Sequence, residues 1–365
     1  MENKKILNCN YTLIFSFLIK RLIPVIKNFL LIISFITVCY TAKANTPKSP
    51  ILVKYGIYIK KITVDFQNAK FHAVFYWWAQ FNNDSTATGY KNDDILNFEY
   101  ANAINYEIGG LKNEIQLFKN LGNNNFYYTG LHQGDFYFSP NFKMYPFDKQ
   151  KLDIIVENSL IPEEELVFVI DSISYIKSNQ NKNFWGLSND LLSNNTMESY
   201  KIFKTNIIIG NSIYNSNFGD ITLPYKSFYG RITTSIFIDR SFLPYISKLF
   251  LPLIIILFLA YFVFYLPTHK IEMSASLNVS ALFCATAFQL AISRSLPDIG
   301  YIIYVDKIFY TCYALIALSL TQSLITYYLD SSGEEKKKRK AHRLDIVFRF
   351  IFPFLLIAAV ILFAL

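Results

Sequence analysis

The chain has four cysteines, and none of them falls between Cys39 and Cys284. The long stretch between those two positions is therefore built without disulfides and without thiolate metal sites. Also missing are a glycine-rich nucleotide-binding motif, a nucleophile elbow and any set of His and Cys at metal-ligand spacing. Those gaps argue against an enzyme, and neither a cofactor nor a metal is expected. A basic face is lacking as well, although the net charge is +8. Residues 1–44 carry +5 of it and Asp330 to Arg343 carry +3, so the remainder is near neutral. Charge gathered at two points reads as targeting and membrane topology, and no nucleic-acid partner is expected.

What is present is apolar. Hydrophobic residues make up 52% of the chain and mean hydropathy is +0.25, which calls for membrane spans beside a folded polar region. Apolar runs at Tyr11 to Ile19 and Phe29 to Tyr40 lead to Ala42, Lys43 and Ala44, a small-residue cleavage pattern. Residues 1–44 are expected to be a secretory signal, with a retained anchor as the alternative. Residues 45–240 alternate short apolar and aromatic runs with Asn, Asp, Gly and Ser clusters, the pattern of an all-β sandwich of immunoglobulin-like type. Expected strands are Val53 to Val64, Phe71 to Phe81, Phe126 to Tyr137, Lys151 to Glu157, Glu165 to Ile176, Ser199 to Ile209 and Gly230 to Arg240. In the second, Phe71, Ala73, Phe75 and Trp77 share one face while Tyr76 and Trp78 share the other, so one aromatic set needs a further layer to cover it.

Residues 241–365 read as a four-helix transmembrane domain, with spans at 245–266, 273–293, 302–329 and 344–365. The loop at 330–343 holds Lys336, Lys337, Lys338, Arg339 and Lys340, and the turn between the first two spans holds His269 and Lys270. Both are expected on the cytoplasmic side, with the β domain exported to the periplasmic face of a bacterial inner membrane. The second span carries Glu272, Ser276, Ser280, Phe283, Ala287, Leu290 and Arg294 at steps of three or four, which a helix gathers into one stripe. Small and hydroxylated residues on a membrane helix commonly serve close packing. Ionisable groups at membrane depth are costly and face water or a partner, so Glu272 and Arg294 favour a pore lining. One helix cannot enclose water, and a pore needs a ring of copies.

Several stretches together make the chain resemble the pentameric ligand-gated ion channels, the Cys-loop receptor superfamily, in its bacterial branch. Ser139 to Ile154 (SPNFKMYPFDKQKLDI) is similar to the loop that names the family, with Phe138 and Leu152 where animal members have cysteines. Ile238 to Leu257 is similar to the entry into the first span, the stripe to the pore helix, and LPDIGY from Leu296 to the loop between the second and third spans. The resemblance implies a homopentamer in membrane lipid that conducts inorganic ions, opened by a small-molecule agonist or by protons. It implies a selectivity ring at Glu272 with Ser276 and Ser280 above it, a gate at Phe283, Ala287 and Leu290, and Arg294 at the outer mouth. A carboxylate ring favours cations, while Arg294 and Lys270 oppose them. It assigns Asp65, Asp148, Arg240 and Pro297 to coupling between the domains. It puts an agonist between subunits, with Tyr76, Trp78, Trp185, Tyr214 and Tyr225 as the candidate aromatic residues. The alternative is a membrane-tethered sensor or adhesion domain without conductance.

Overall fold

In the computed structural model the described residues are 49–104, 115–178, 180–193, 200–219, 221, 225–241 and 246–364. The expected signal at 1–44, with Cys9 and Cys39, lies outside them. The first part is a pair of sheets. Strands β1 (Ile51–Asp65), β2 (Lys70–Asn82), β4 (Ile115–Gly122), β5 (Asn125–Tyr137) and β7 (Leu166–Ile170) form one, in the order β4-β5-β2-β1-β7. Strands β3 (Phe98–Tyr100), β6 (Lys149–Asn158), β8 (Tyr200–Tyr214) and β9 (Ser227–Arg240) form the other, in the order β3-β6-β9-β8. Short helical turns α1 (Ser85–Thr88), α2 (Asn92–Ile95), α3 (Ser172–Lys177) and α4 (Asn189–Ser193) join them.

Alternation decides which residues fill the space between the sheets. Along β2, Phe71, Ala73, Phe75, Trp77, Ala79 and Phe81 are all buried. They meet Tyr55, Phe98, Phe136, Phe168, Ile232 and Ile236 in one core, and each large side chain so placed contributes about 1.5–3 kcal/mol through removal from water.

The other aromatic face of β2 has its cover too. Asp171 accepts from the Ser174 amide and caps α3, so the apolar stretch expected as a strand to Ile176 ends at Ile170 and turns into a helix. Residues 171–178 and 180–193 then lie along β1: the Ile59 amide donates to the Gly186 carbonyl, and the Ser188 amide to the Ile59 carbonyl. The Tyr175 hydroxyl meets both the amide and the carbonyl of Ile57, at 2.9 and 3.1 Å. Trp78 lies across Gly56, where an added Cβ would fall 2.2 Å from the indole. Only glycine permits that contact.

Four long helices follow. Three are long and apolar enough to cross a membrane: α5 (Ser247–Tyr265), α6 (Ile271–Ser293) and α7 (Tyr304–Ser331). The fourth, α8 (Glu335–Ala364), is basic in its first turns and apolar after them. The loop expected at 330–343 is thus helical from Glu335. Gly333, at φ 75°, ends α7, and the Glu334 carbonyl accepts from the Lys337 and Lys338 amides at the start of a run of good helix formers.

Candidate functional site

Two places gather the chemistry that the sequence singled out. The first is α6. Ser274, Asn278, Ala281 and Ala285 are buried, spaced four, three and four residues apart. At about 100° per residue they mark one side of the helix. Glu272, Ser276, Ser280, Phe283, Ala287, Leu290 and Arg294 lie half a turn away, and every one is exposed. Polar bonds hold the buried side. The Asn278 side-chain amide donates to the Ser274 carbonyl at 3.1 Å. Gln289 donates to Asp306 of α7 at 3.2 Å and accepts from the Tyr313 hydroxyl at 2.5 Å.

The energetics of this helix run against its environment in a single chain. Its mean hydropathy is 1.5, the lowest of the three apolar helices, yet only 17% of its apolar window is buried, against 39% and 44% for α5 and α7. Glu272 and Arg294 facing hydrocarbon would be costly. Of these three helices, the one its own chain covers least is the one that carries this polar stripe.

The second place is the junction between sheets and helices. The Arg240 guanidinium at the end of β9 donates through Nε to Asp148 Oδ1 at 2.7 Å and through Nη2 to Oδ2 at 3.1 Å. Both residues are buried, and a paired geometry of this kind is strong and directional. The Gln150 side chain adds a bond to Asp148 Oδ2 at 2.6 Å and ties the Asn141 backbone on both its amide and its carbonyl. The rings of Tyr200, Tyr145 and Phe66 stand 4.7, 4.8 and 5.6 Å from the guanidinium carbon, close enough for cation–π attraction.

Asp65, assigned with them to coupling between the domains, accepts from the Asn68 amide and side chain within its own turn. Those bonds hold its carboxyl below the usual range. The turn still contributes, because Phe66 stacks on Tyr200 at 4.8 Å.

From this hub the loop at 139–148 reaches the helices. The Phe142 amide donates to the Tyr301 hydroxyl and the Tyr304 amide to the Lys143 carbonyl, both at 2.9 Å. Phe142 and Tyr145 are buried in one cluster with Leu249, Leu253, Ile303 and Tyr304, and Phe147 packs on Phe250 and Tyr304. Pro297 sits half-buried in the stretch between α6 and Tyr301. Gln150, Phe142 and Tyr301 lay inside stretches that the sequence flagged, but nothing in their residue types marked them as contacts.

The five candidate aromatic residues do not converge within one chain. Trp78 donates to Asp171 at 2.8 Å and packs on Tyr175, which stacks on Trp185 at 5.3 Å. Tyr58, Trp78 and Tyr175, with Ser174, Ser178, Gln180 and Asn189, line a cavity of about 290 Å³. Tyr76 lies under the Lys60 ammonium, 5.4 Å from its ring centre. Tyr214 belongs to a different cluster: its hydroxyl and that of Ser212 donate to the buried Glu157, which also pairs with Arg231. Burial and the Glu157 carboxylate push the Tyr214 phenol up. The Trp185 carbonyl is bonded by Thr205, nine residues before Tyr214 on β8, or roughly 30 Å of extended strand. Tyr225 is exposed. No family model matches the chain, and no curated protein matches it.

Proposed function

We propose that this chain is one subunit of a pentameric ligand-gated ion channel, with copies of α6 surrounding a water-filled pore in the inner membrane. The observation that carries this reading is the coincidence on α6: the stripe with a carboxylate at one end, an apolar middle and a guanidinium at the other is the side its own chain leaves open. A ring of copies would give that side water in place of lipid. Phe283 and Leu290 are large enough to close a narrow pore by dewetting, and a Glu272 ring would concentrate cations at the cytoplasmic end. The Arg240–Asp148 pair and the 139–148 loop would carry a change in the exported sandwich to the helices. In this arrangement α8 is the fourth span.

Currents from the full-length protein in a planar bilayer, screened against amines, neutral ligands and acid pH, test the reading. A gated conductance, with a mass near five protomers in detergent, is expected. A monomer that no stimulus opens would leave only a tethered sensor or adhesion domain. In a salt gradient, Glu272→Gln is expected to move the reversal potential away from the cation limit. An unmoved potential removes Glu272 from the selectivity ring.

A further inference from the structure

Asp345 on α8 is a buried carboxylate without a cation of its own. It is 7% exposed, and the Gln322 side-chain amide of α7 donates to its Oδ1 at 2.5 Å. Among the described residues nothing bonds its other oxygen, and no lysine, arginine or histidine lies within ion-pair range. Buried charges are paired or coordinate metals, because an ion alone in a low-dielectric interior is costly. The charged and titratable groups that act on it are Arg349 and His342, each about one turn away on α8, and Asp330 of α7. Arg349 donates through Nε and Nη2 to the Phe264 carbonyl, at 3.2 and 2.9 Å, and His342 is exposed. With that imidazole neutral, one guanidinium stands against two carboxylates, and a negative charge is left over.

Asp345 lines a cavity of about 10 Å³, the room of a single water. Its polar wall is completed by Thr268 from the turn between α5 and α6, Ser274 from α6, and Gln322, Ser323 and Thr326 from α7. Every one of these side chains carries an oxygen, and the hydroxyl protons are mostly taken. Thr268 donates to Asp330 at 2.7 Å, Ser323 to the Ser319 carbonyl at 2.9 Å, and Thr326 to the Gln322 and Ser323 carbonyls at 3.1 Å. A hydroxyl whose proton is engaged has only lone pairs left to offer.

We infer that this cavity is a site for one dehydrated sodium ion, held by the Asp345 carboxylate together with the Gln322, Ser274 and Thr326 side-chain oxygens. An all-oxygen wall suits a hard cation. Among the described residues no group of three His, Cys, Asp or Glu offers a transition-metal site. Magnesium keeps several of its waters and calcium takes roughly six to eight oxygens, so neither fits the space of one water beside one uncompensated charge. The ion ties α8 to α7 and to the α5–α6 turn, and balances the charge that the side chains leave over. None of this requires a pore or a conductance.

The test compares thermal unfolding midpoints of the full-length protein in sodium, potassium and N-methylglucamine chloride at equal ionic strength. The wild type is expected to unfold several degrees higher in sodium than in either other salt, with a midpoint that climbs with the logarithm of sodium concentration. Asp345→Asn, which keeps an oxygen and removes the charge, is expected to lose the difference. Ser274→Ala, a milder change, is expected to need about tenfold more sodium for the same shift. Glu272→Gln, on the open stripe of α6, is expected to keep the difference, which separates this site from an ion in the pore. Equal wild-type midpoints in sodium and N-methylglucamine would mean that a proton neutralises Asp345, and would overturn the inference. So would an equal rise in potassium, a sodium difference that survives Asp345→Asn or vanishes in Glu272→Gln, or a Ser274→Ala response identical to that of the wild type. A protein that never conducts but shows the sodium difference would lose the channel reading and keep this one.

Discussion

Strand β2 and helix α6 pose the same problem and solve it differently. Each has two faces that need covering. On β2 the chain covers both, Trp77 in the core between the sheets and Trp78 against Asp171 and Tyr175. On α6 it covers one, and the face it leaves open holds the helix's charged groups. A face left open in water needs no explanation, whereas charged groups facing hydrocarbon would be costly.

The largest effect should come from the hinge between the two regions. Arg240→Ala leaves the Asp148 carboxylate buried without its cation, and removing one partner of such a pair costs about 3–5 kcal/mol. Denaturant unfolding of the reconstituted protein should show that loss. A cost under 1 kcal/mol would reduce the pair to a surface salt bridge.

Next, one class of truncation made in both regions separates them. Trp77→Ala should cost about 3–5 kcal/mol by opening the sandwich core. Phe283→Ala, at a position 72% exposed in the single chain, should cost less than about 0.5 kcal/mol, as surface positions do, and should make the pore leakier. Equal destabilisation would mean that Phe283 packs against protein, and a lower open probability would deny it the gate.

The smallest effect lies at the edge of the second sheet. Glu99 stands opposite Glu157 between β3 and β6, and like charges so paired repel. Burial first, then the Glu157 charge, raise the Glu99 carboxyl above its ordinary value of 4.5. A raised acid adds stability that is complete below that ordinary value and is lost as pH rises through the raised one. Glu99→Gln should therefore gain on the wild type as pH climbs from 4.5 toward neutrality. Parallel stability profiles would contradict the assignment.

Much of this was legible in the residues, for physical reasons. Strict alternation showed β2, and the apolar runs marked four spans, three of which are helices long and apolar enough to cross a membrane. The stripe on α6 was drawn from spacing alone and falls on one face. Less visible were β4, whose Leu117, Phe118 and Leu121 are exposed, and the three-residue β3. The end of β7 was hidden because Ser-Ile-Ser-Tyr reads equally well in an extended chain until Asp171 caps it. Asp65, Asp148 and Arg240 were assigned together to coupling between the domains; Arg240 and Asp148 are bonded to each other, while the carboxylate of Asp65 is taken up by Asn68 in its own turn. Trp185 was grouped with Tyr76, Trp78, Tyr214 and Tyr225, and within one chain it stacks on Tyr175 beside Trp78.

Water on the open face of α6 is the central claim. Phe283 on α6 and Phe350 on α8 are 72% and 74% exposed, so a single chain does not distinguish them. In a Cys284→Ser, Cys312→Ser background, Phe283→Cys and Phe350→Cys should be exposed to a charged, membrane-impermeant thiol reagent during stimulation. Rapid modification with loss of current at Phe283→Cys, and none at Phe350→Cys, is the expected result. Protection of both would place the stripe in lipid or against protein and contradict the account.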